Sequence, residues 1–295
     1  SVSDPITRRT ALKTLASGTA LAASGAVLAP TSAVAAHHHT MIGRYKHSAC
    51  KWCYKDITLE EMADRAHDVG LDSIELVNVS ELPILAKHGL ECAMVWGVPG
   101  GIKSGLNNRD NHGRIKEFMA RDIPLMAEQG AKNMIVFSGN RDGQPEDEGL
   151  DVCAEGLAQI VPIAEKHGVT ISMELLNSKG NHEDYLCDRT PWGVKLCEKV
   201  GSEHFKLLYD IYHMQIMEGD IIRTIRDHHP WISHYHTGGN PGRHELDGDR
   251  QEIDYPKVMG AIADTGYTGF VGQEFQPTEA DPLAALARAI KLCSV

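Results

Sequence analysis

Several things are scarce in this sequence. Aromatic residues are 6% of its 295 positions, cysteines number seven, and 29 Lys and Arg stand against 40 Asp and Glu. An acidic chain with a pI near 5.8 lacks the positive surface that phosphate backbones require, which argues against a nucleic-acid partner. An odd, sparse set of cysteines excludes a disulfide framework as the organiser of the fold. Cys50 and Cys53 form a single Cys-x-x-Cys, which decides nothing without a second pair or a thioredoxin-like context. No stretch approaches the roughly 20 predominantly apolar residues of a spanning helix, so no stable membrane insertion is expected. No Gly-x-Gly-x-x-Gly follows the first β-rich run, which removes the usual dinucleotide fingerprint. Apolar residues, by contrast, make up 42% of the chain, enough for a real core and incompatible with global disorder.

Residues 1–35 differ in composition from the rest. Thr7-Arg8-Arg9-Thr10-Ala11-Leu12-Lys13 precedes an Ala-, Leu- and Gly-rich run, and Ala33-Val34-Ala35 forms a small-x-small cleavage pattern. A charged start, a short apolar middle and such a site make a secretory signal. The paired arginines resemble the twin-arginine export signal, with Ala11 at the usual Phe position. The expectation is an exported, periplasmic protein whose folded part begins at Ala36. His37-His38-His39 just after the site reads as an adventitious metal binder on a terminus.

The remaining residues, 36–295, read as one domain of repeating units. β-rich runs fall at Gly43–Ala49, Ser73–Val77, Glu91–Trp96, Asn133–Ser138, Thr170–Leu175, Phe205–Asp210, Ile232–His236 and Gly269–Phe275. Amphipathic helical patterns lie between them, over Thr58–Val69, Asp110–Gln129, Glu148–His167, Pro191–Val200, Tyr255–Thr265 and Pro282–Leu292. Thr58 and Glu61 have the spacing of a capping box, and glycine follows most of the helices, as C-caps require. Eight alternations over about 250 residues are the size of an α/β (β/α)8 TIM barrel. A doubly wound open sheet alternates similarly, but the polar residues gather at strand C-terminal ends all the way round, as the active face of a barrel demands.

Four such residues stand out. Glu174, Asp210, His236 and Glu274 end or nearly end four successive runs, each among apolar neighbours. An acidic residue pointing into a barrel is expensive to bury unless paired or metal-bound. Spaced by about one βα unit each, the four are expected to meet at one end of the barrel. Three carboxylates and one imidazole make an oxygen-rich site for one divalent ion, Mn²⁺, Mg²⁺ or Co²⁺, rather than a closed structural Zn²⁺ site.

Asp210-Ile211-Tyr212-His213, His234-Tyr235-His236, Pro241-Gly242-Arg243-His244-Glu245 and Gly272-Gln273-Glu274 together resemble the xylose-isomerase-like barrel superfamily. Within it the chain is most similar to the hydroxypyruvate isomerase family, through the Arg-His-Glu segment, Glu252-Ile253-Asp254-Tyr255-Pro256 and Gly266-Tyr267-Thr268-Gly269. The resemblance implies that Glu174, Asp210, His236 and Glu274 bind the metal. It implies that Glu174 and Glu274 double as a proton-transferring pair, and that His213 and Arg243 face substrate oxygens. His236 departs from the bacterial hydroxypyruvate isomerases, which tend to carry Gln there. Histidine is the pattern of the ketose 3-epimerases, yet their usual second Glu after Glu174 is absent from Asn177-Ser178-Lys179-Gly180-Asn181-His182.

The chemistry so implied is aldose–ketose isomerisation of a small sugar or hydroxy-keto acid, hydroxypyruvate going to tartronate semialdehyde. A divalent ion polarises the carbonyl and stabilises the enediolate, and the two carboxylates remove and return the proton. Arg243 is the natural clamp for a substrate carboxylate. His234, two residues before His236, faces the same way along a strand and is a further candidate for substrate contact. Glu75, Asn78, Trp52, Trp96 and Trp192 are candidate pocket walls, and Lys179 and His182 lie in a loop able to cover the site. The rival readings are a ketose 3-epimerase, a metal-dependent DNA-repair nuclease, which the acidic charge opposes, and a non-catalytic exported sugar-binding barrel. Self-association into a homo-oligomer is a further expectation.

Overall fold

The computed structural model describes residues 43–295. The expected export signal of residues 1–35 and the His37-His38-His39 run lie outside the described residues.

Seven parallel strands form one sheet: β1 Lys46–Cys50, β2 Ser73–Glu75, β3 Asn133–Val136, β4 Thr170–Glu174, β5 Phe205–Asp210, β6 Ile232–Thr237 and β7 Phe270–Gln273. Their order across the sheet is β2-β1-β7-β6-β5-β4-β3, so neighbours in sequence are neighbours in space and the sheet curls. Between its two edges lies the segment 91–96, expected as a strand. It bridges Ser73 and Val77 on one side and Met134 on the other, through Glu91 and Val95, but only by isolated pairings. The ring is therefore a TIM barrel whose third stave is irregular. The reason is local. The Ala93 amide donates to the Ser73 hydroxyl (2.8 Å), and its carbonyl accepts from the Asn133 side chain (2.9 Å). Side chains take the main-chain groups that a ladder would have used.

Among the described residues nine α-helices surround the sheet: α1 Leu59–Val69, α2 Leu82–Lys87, α3 Arg109–Glu128, α4 Glu146–His167, α5 Thr190–Val200, α6 Ile211–Met217, α7 Ile221–His228, α8 Tyr255–Asp264 and α9 Pro282–Cys293. The capping box at Thr58 and Glu61 is formed, and Gly70, Gly168 and Gly201 end α1, α4 and α5 in the left-handed region. Helices α2, α6 and α7 are additions to the sequence expectation. Each is eight residues or fewer, too short for a clear periodic stripe. Buried Ile, Leu, Met, Val and Tyr from strands and helices merge into one continuous apolar core. Among the described residues no helix is long and apolar enough to cross a membrane.

Candidate metal and substrate site

The C-terminal ends of β4 to β7 each deliver one polar side chain. Glu174 is the last residue of β4, Asp210 the last of β5, His236 the penultimate of β6, and Glu274 follows β7 directly. Asp210 and His236 are register partners, so adjacent strands place them side by side. One ligand atom from each of Glu174, Asp210, His236 and Glu274 lies within 4.8 Å of the others, and all four residues are buried. The four residues expected to meet are thus brought together.

Each is oriented by its own neighbours. Asp210 caps α6, its Oδ1 accepting from the His213 amide at 2.9 Å. That leaves Oδ2 for the site. The Trp52 indole donates to Glu274 Oε1 at 2.7 Å. Arg243 donates through Nη2 to Glu274 Oε2 (2.6 Å) and Asp210 Oδ2 (3.2 Å), and through Nε to the Glu274 carbonyl. Its guanidinium lies 5.2 Å from the Trp52 ring and 5.4 Å from the Tyr212 ring. Arg243 takes a left-handed backbone with φ of 60°, as does Leu76 with φ of 56°, and both line the pocket. Non-glycine residues held in that region cluster where a site imposes the conformation.

The electrostatics follow from burial. Burial, opposed by Arg243 and reinforced by Glu274 and Glu174, pushes Asp210 up to about 8. Burial and the nearby Glu274 also raise Glu174. Burial disfavours ionised Glu274 too, but Arg243 and His236 outweigh it and hold that carboxyl well below the usual range. Burial and Arg243 keep His213 neutral, and the same two causes lower His182 to about 4.

The donor set fits a divalent ion. His236 Nδ1 lies 2.8 Å from Glu274 Oε2 and 3.4 Å from Glu174 Oε1. Neither His236 Nδ1 nor Glu174 Oε1 has a hydrogen-bond partner in good geometry. Buried polar atoms left so close together without partners are costly, and a cation between them removes the cost. Three hard carboxylates and one imidazole suit Mn²⁺, Mg²⁺ or Co²⁺.

Above this floor lies a cavity of about 430 Å³, lined by Trp52, Leu76, Trp96, Ile102, Phe137, Glu174, Leu176, His182, Arg243 and Glu274. Trp52, Trp96 and His182 are therefore at the site, as is Arg243. Other expected residues are elsewhere. His213 is fully buried beside the floor, its Nδ1 2.6 Å from the Asn177 amide group and its Nε2 3.7 Å from Asp210 Oδ2. His234 does not reach the cavity; its Nε2 lies 2.9 Å from Glu75 Oε1, because the barrel interior beneath the site is filled. Glu75 is likewise fully buried below the cavity rather than lining it. Asn78 caps a short turn with Glu81, and the Trp192 indole donates to the Glu146 carbonyl, so both are structural. Lys179 ties its loop to the end of α6 through the Ile216 and Met217 carbonyls. The thiols of Cys50 and Cys53 are free, and burial raises both. Sequence reasoning missed the apolar wall of Leu76, Ile102, Phe137 and Leu176, since apolar residues at strand ends carry no chemical signature. It saw Glu75 but not its partners; strand alternation between Ile74 and Leu76 was the available signal.

A curled sheet with this acidic cluster at its C-terminal mouth defines a TIM-barrel protein with a group of side chains able to hold a cation. The chain belongs to the xylose isomerase-like TIM barrel family, whose profile matches residues 63–293. It is 33% identical over 123 residues to a 2-oxo-tetronate isomerase of Cupriavidus necator, covering 42% of this chain and 46% of that one. A 2-oxo-tetronate isomerase of Pectobacterium atrosepticum is 24% identical, covering 76% and 88%. A hydroxypyruvate isomerase of Escherichia coli is 38% identical over 88 residues, 30% of this chain and 33% of that one. The chain thus spans less than half of two of these relatives. Among solved structures, D-psicose 3-epimerase of Clostridium cellulolyticum, with D-tagatose, superposes with a TM-score of 0.70 at 19% identity, covering 85% of this chain and all of the other. That likeness is one of fold.

Proposed function

We propose that the chain is a metal-dependent isomerase of the hydroxypyruvate isomerase type, moving a proton between adjacent carbons of an α-hydroxycarbonyl substrate. The observation that carries this reading is the division of labour at the floor. Glu174 and Glu274 reach the cavity, whereas Asp210 and His236 are sealed beneath it. All four would hold the ion, and only the two glutamates can also touch substrate. Bound there, a divalent ion would polarise the substrate carbonyl and acidify the neighbouring C–H.

The surroundings push the two glutamates in opposite directions, Glu274 down and Glu174 up, which suits them to act as base and acid. Glu274, held ionised by Arg243, takes the proton from the α-carbon. Glu174, raised by burial and by Glu274, returns one to the adjacent carbon, the hydroxyl proton passes to the former carbonyl oxygen, and proton exchange with solvent resets the pair. Arg243 keeps Glu274 placed and faces the substrate oxygens from the cavity edge. Trp52 fixes the other Glu274 oxygen, and the apolar walls exclude water from the carbanionic intermediate. The test is incubation in deuterated water with hydroxypyruvate and a panel of ketoses and aldoses. Deuterium at the α-carbon together with isomerised product supports the reading. A metal-loaded protein that exchanges no substrate proton would instead be a binding barrel.

A second reading, a ketose 3-epimerase or other sugar isomerase, draws support from the walls. Beyond the floor the cavity offers Trp52, Trp96, Phe137, Ile102, Leu76 and Leu176, and its one arginine is already paired with two carboxylates. Such walls favour the C–H face of a neutral sugar over a second anionic group. The same panel separates the two by relative kcat/KM. The leader at residues 1–35 supports export by the twin-arginine route; replacing Arg8 and Arg9 with Lys should retain the precursor in the cytoplasm, and unimpaired export would leave an ordinary secretory signal.

A further inference from the structure

We propose that Glu75 is a positioning residue that dictates which nitrogen of His236 faces the three carboxylates, with His234 and Gly272 completing the device. The inference rests on the metal-dependent reading of the site. Glu75 ends β2, on the opposite side of the ring of strands from β5, and is fully buried. Its Oε1 lies 2.6 Å from His236 Nε2 and 2.9 Å from His234 Nε2. A carboxylate only accepts, so both histidines must donate an Nε2–H to it.

That requirement fixes His236. With its Nε2 proton committed to Glu75, the ring turns Nδ1 towards Glu274 and Glu174, where it stands without a hydrogen bond. The other tautomer would aim an N–H at the ion and supply no lone pair. A carboxylate behind a ligating imidazole is the usual means of choosing the tautomer and raising ligand basicity. His234 takes the same Glu75 oxygen from a ring set 84° to that of His236, which holds the carboxylate against rotation. The Cys50 thiol lies 3.8 Å from that oxygen and 3.7 Å from His236 Nε2, closing the pocket around the pair.

Gly272 supplies an independent observation. It sits inside β7 as the register partner of His236. A Cβ there would stand 2.8 Å from His236 Cδ2 and 2.9 Å from Glu75 Oε1. A glycine within a strand marks a close approach, and here what approaches is this hydrogen-bonded pair. Among the described residues the two histidines are the only ion-pair partners of Glu75.

The experiment uses the full chain, stripped with a chelator and titrated with Mn²⁺ by calorimetry. Glu75→Gln should bind Mn²⁺ about 10- to 100-fold more weakly than the wild type, and Glu75→Asp should recover part of the loss. A second readout is long-range ¹H–¹⁵N spectroscopy of ¹⁵N-histidine-labelled protein. His236 Nε2 should carry a proton both in the free protein and with Mg²⁺ added, and should lose that preference in Glu75→Gln. Unchanged Mn²⁺ affinity in Glu75→Gln, or an unprotonated His236 Nε2 in the wild type, overturns the inference. If Glu75→Gln fails to fold, Gly272→Ala serves instead, because it displaces the pair without removing the charge; unchanged affinity there overturns the inference too. A wild-type chain that binds no Mn²⁺ would overturn the metal-dependent reading, and the spectroscopic arm would still decide whether Glu75 governs His236.

Discussion

The two halves of the barrel mouth are built from different materials. Strands β4 to β7 contribute Glu174, Asp210, His236 and Glu274, all charged or titratable. The half comprising β1, β2, β3 and the segment between β2 and β3 contributes Trp52, Leu76, Trp96 and Phe137 to the same cavity. One half concentrates charge where the proposed function places a cation and a proton transfer. The other removes water and presents aromatic faces. The proposed function thereby assigns chemistry and substrate choice to separate arcs of one ring, so substitutions in each arc should leave different kinetic marks.

The largest effect should come from the charged arc. Glu274→Gln keeps the size and one oxygen but removes the base, and kcat should fall by about 10²–10⁴-fold while metal content, measured alongside, largely survives. Near-wild-type turnover at full metal loading would erase the distinction between the arcs. Next is pH. Ion binding must displace the proton that burial keeps on Asp210, up to about 8. Affinity should therefore climb by roughly tenfold per pH unit for each displaced proton and level off near 8. The sign for the metal-free chain is opposite: carboxyls with raised values stabilise the fold at low pH and lose that contribution as pH rises through those values. Thermal melts with and without Mn²⁺ between pH 5 and about 9 check both slopes.

The apolar arc should answer more gently. Trp96→Ala should raise KM for a neutral ketose by roughly two- to tenfold with kcat nearly unchanged, the scale of one aromatic contact. A comparable fall in kcat would mean that the wall takes part in the chemistry. The smallest effect is expected for His236→Gln, which places at this ligand position the residue that the bacterial hydroxypyruvate isomerases tend to carry. Turnover should persist within about tenfold, with a changed preference among Mg²⁺, Mn²⁺ and Co²⁺.

The charged arc was largely legible in the sequence, because a carboxylate flanked by apolar residues at the end of a strand is rare and costly. Glu174, Asp210, His236 and Glu274 stand out for that reason. The apolar arc was not, since Leu76 and Phe137 read the same whether they line a cavity or fill a core. His213 and His234 show a second limit. Strand and turn spacing put them near the site, but not which way the hydrogen bonds run, and both proved to be sealed from the cavity. The barrel was legible from its alternation. The irregular third stave was not, because the departure at Ala93 depends on Ser73 and Asn133, distant in sequence and adjacent only in the fold.

That irregular stave also gives the ring a seam. Elsewhere around the barrel, successive amides are locked in continuous ladders, whereas residues 91–96 are held by single pairings. Segments with fewer ladder bonds open at lower free energy than the bulk of a fold. Amides of 92–94 should accordingly take up deuterium before those of β5 and β6, although both are buried. The seam adjoins Trp96, so the place where the ring can breathe is the rim of the apolar wall, far in chain and chemistry from the carboxylates that must stay still.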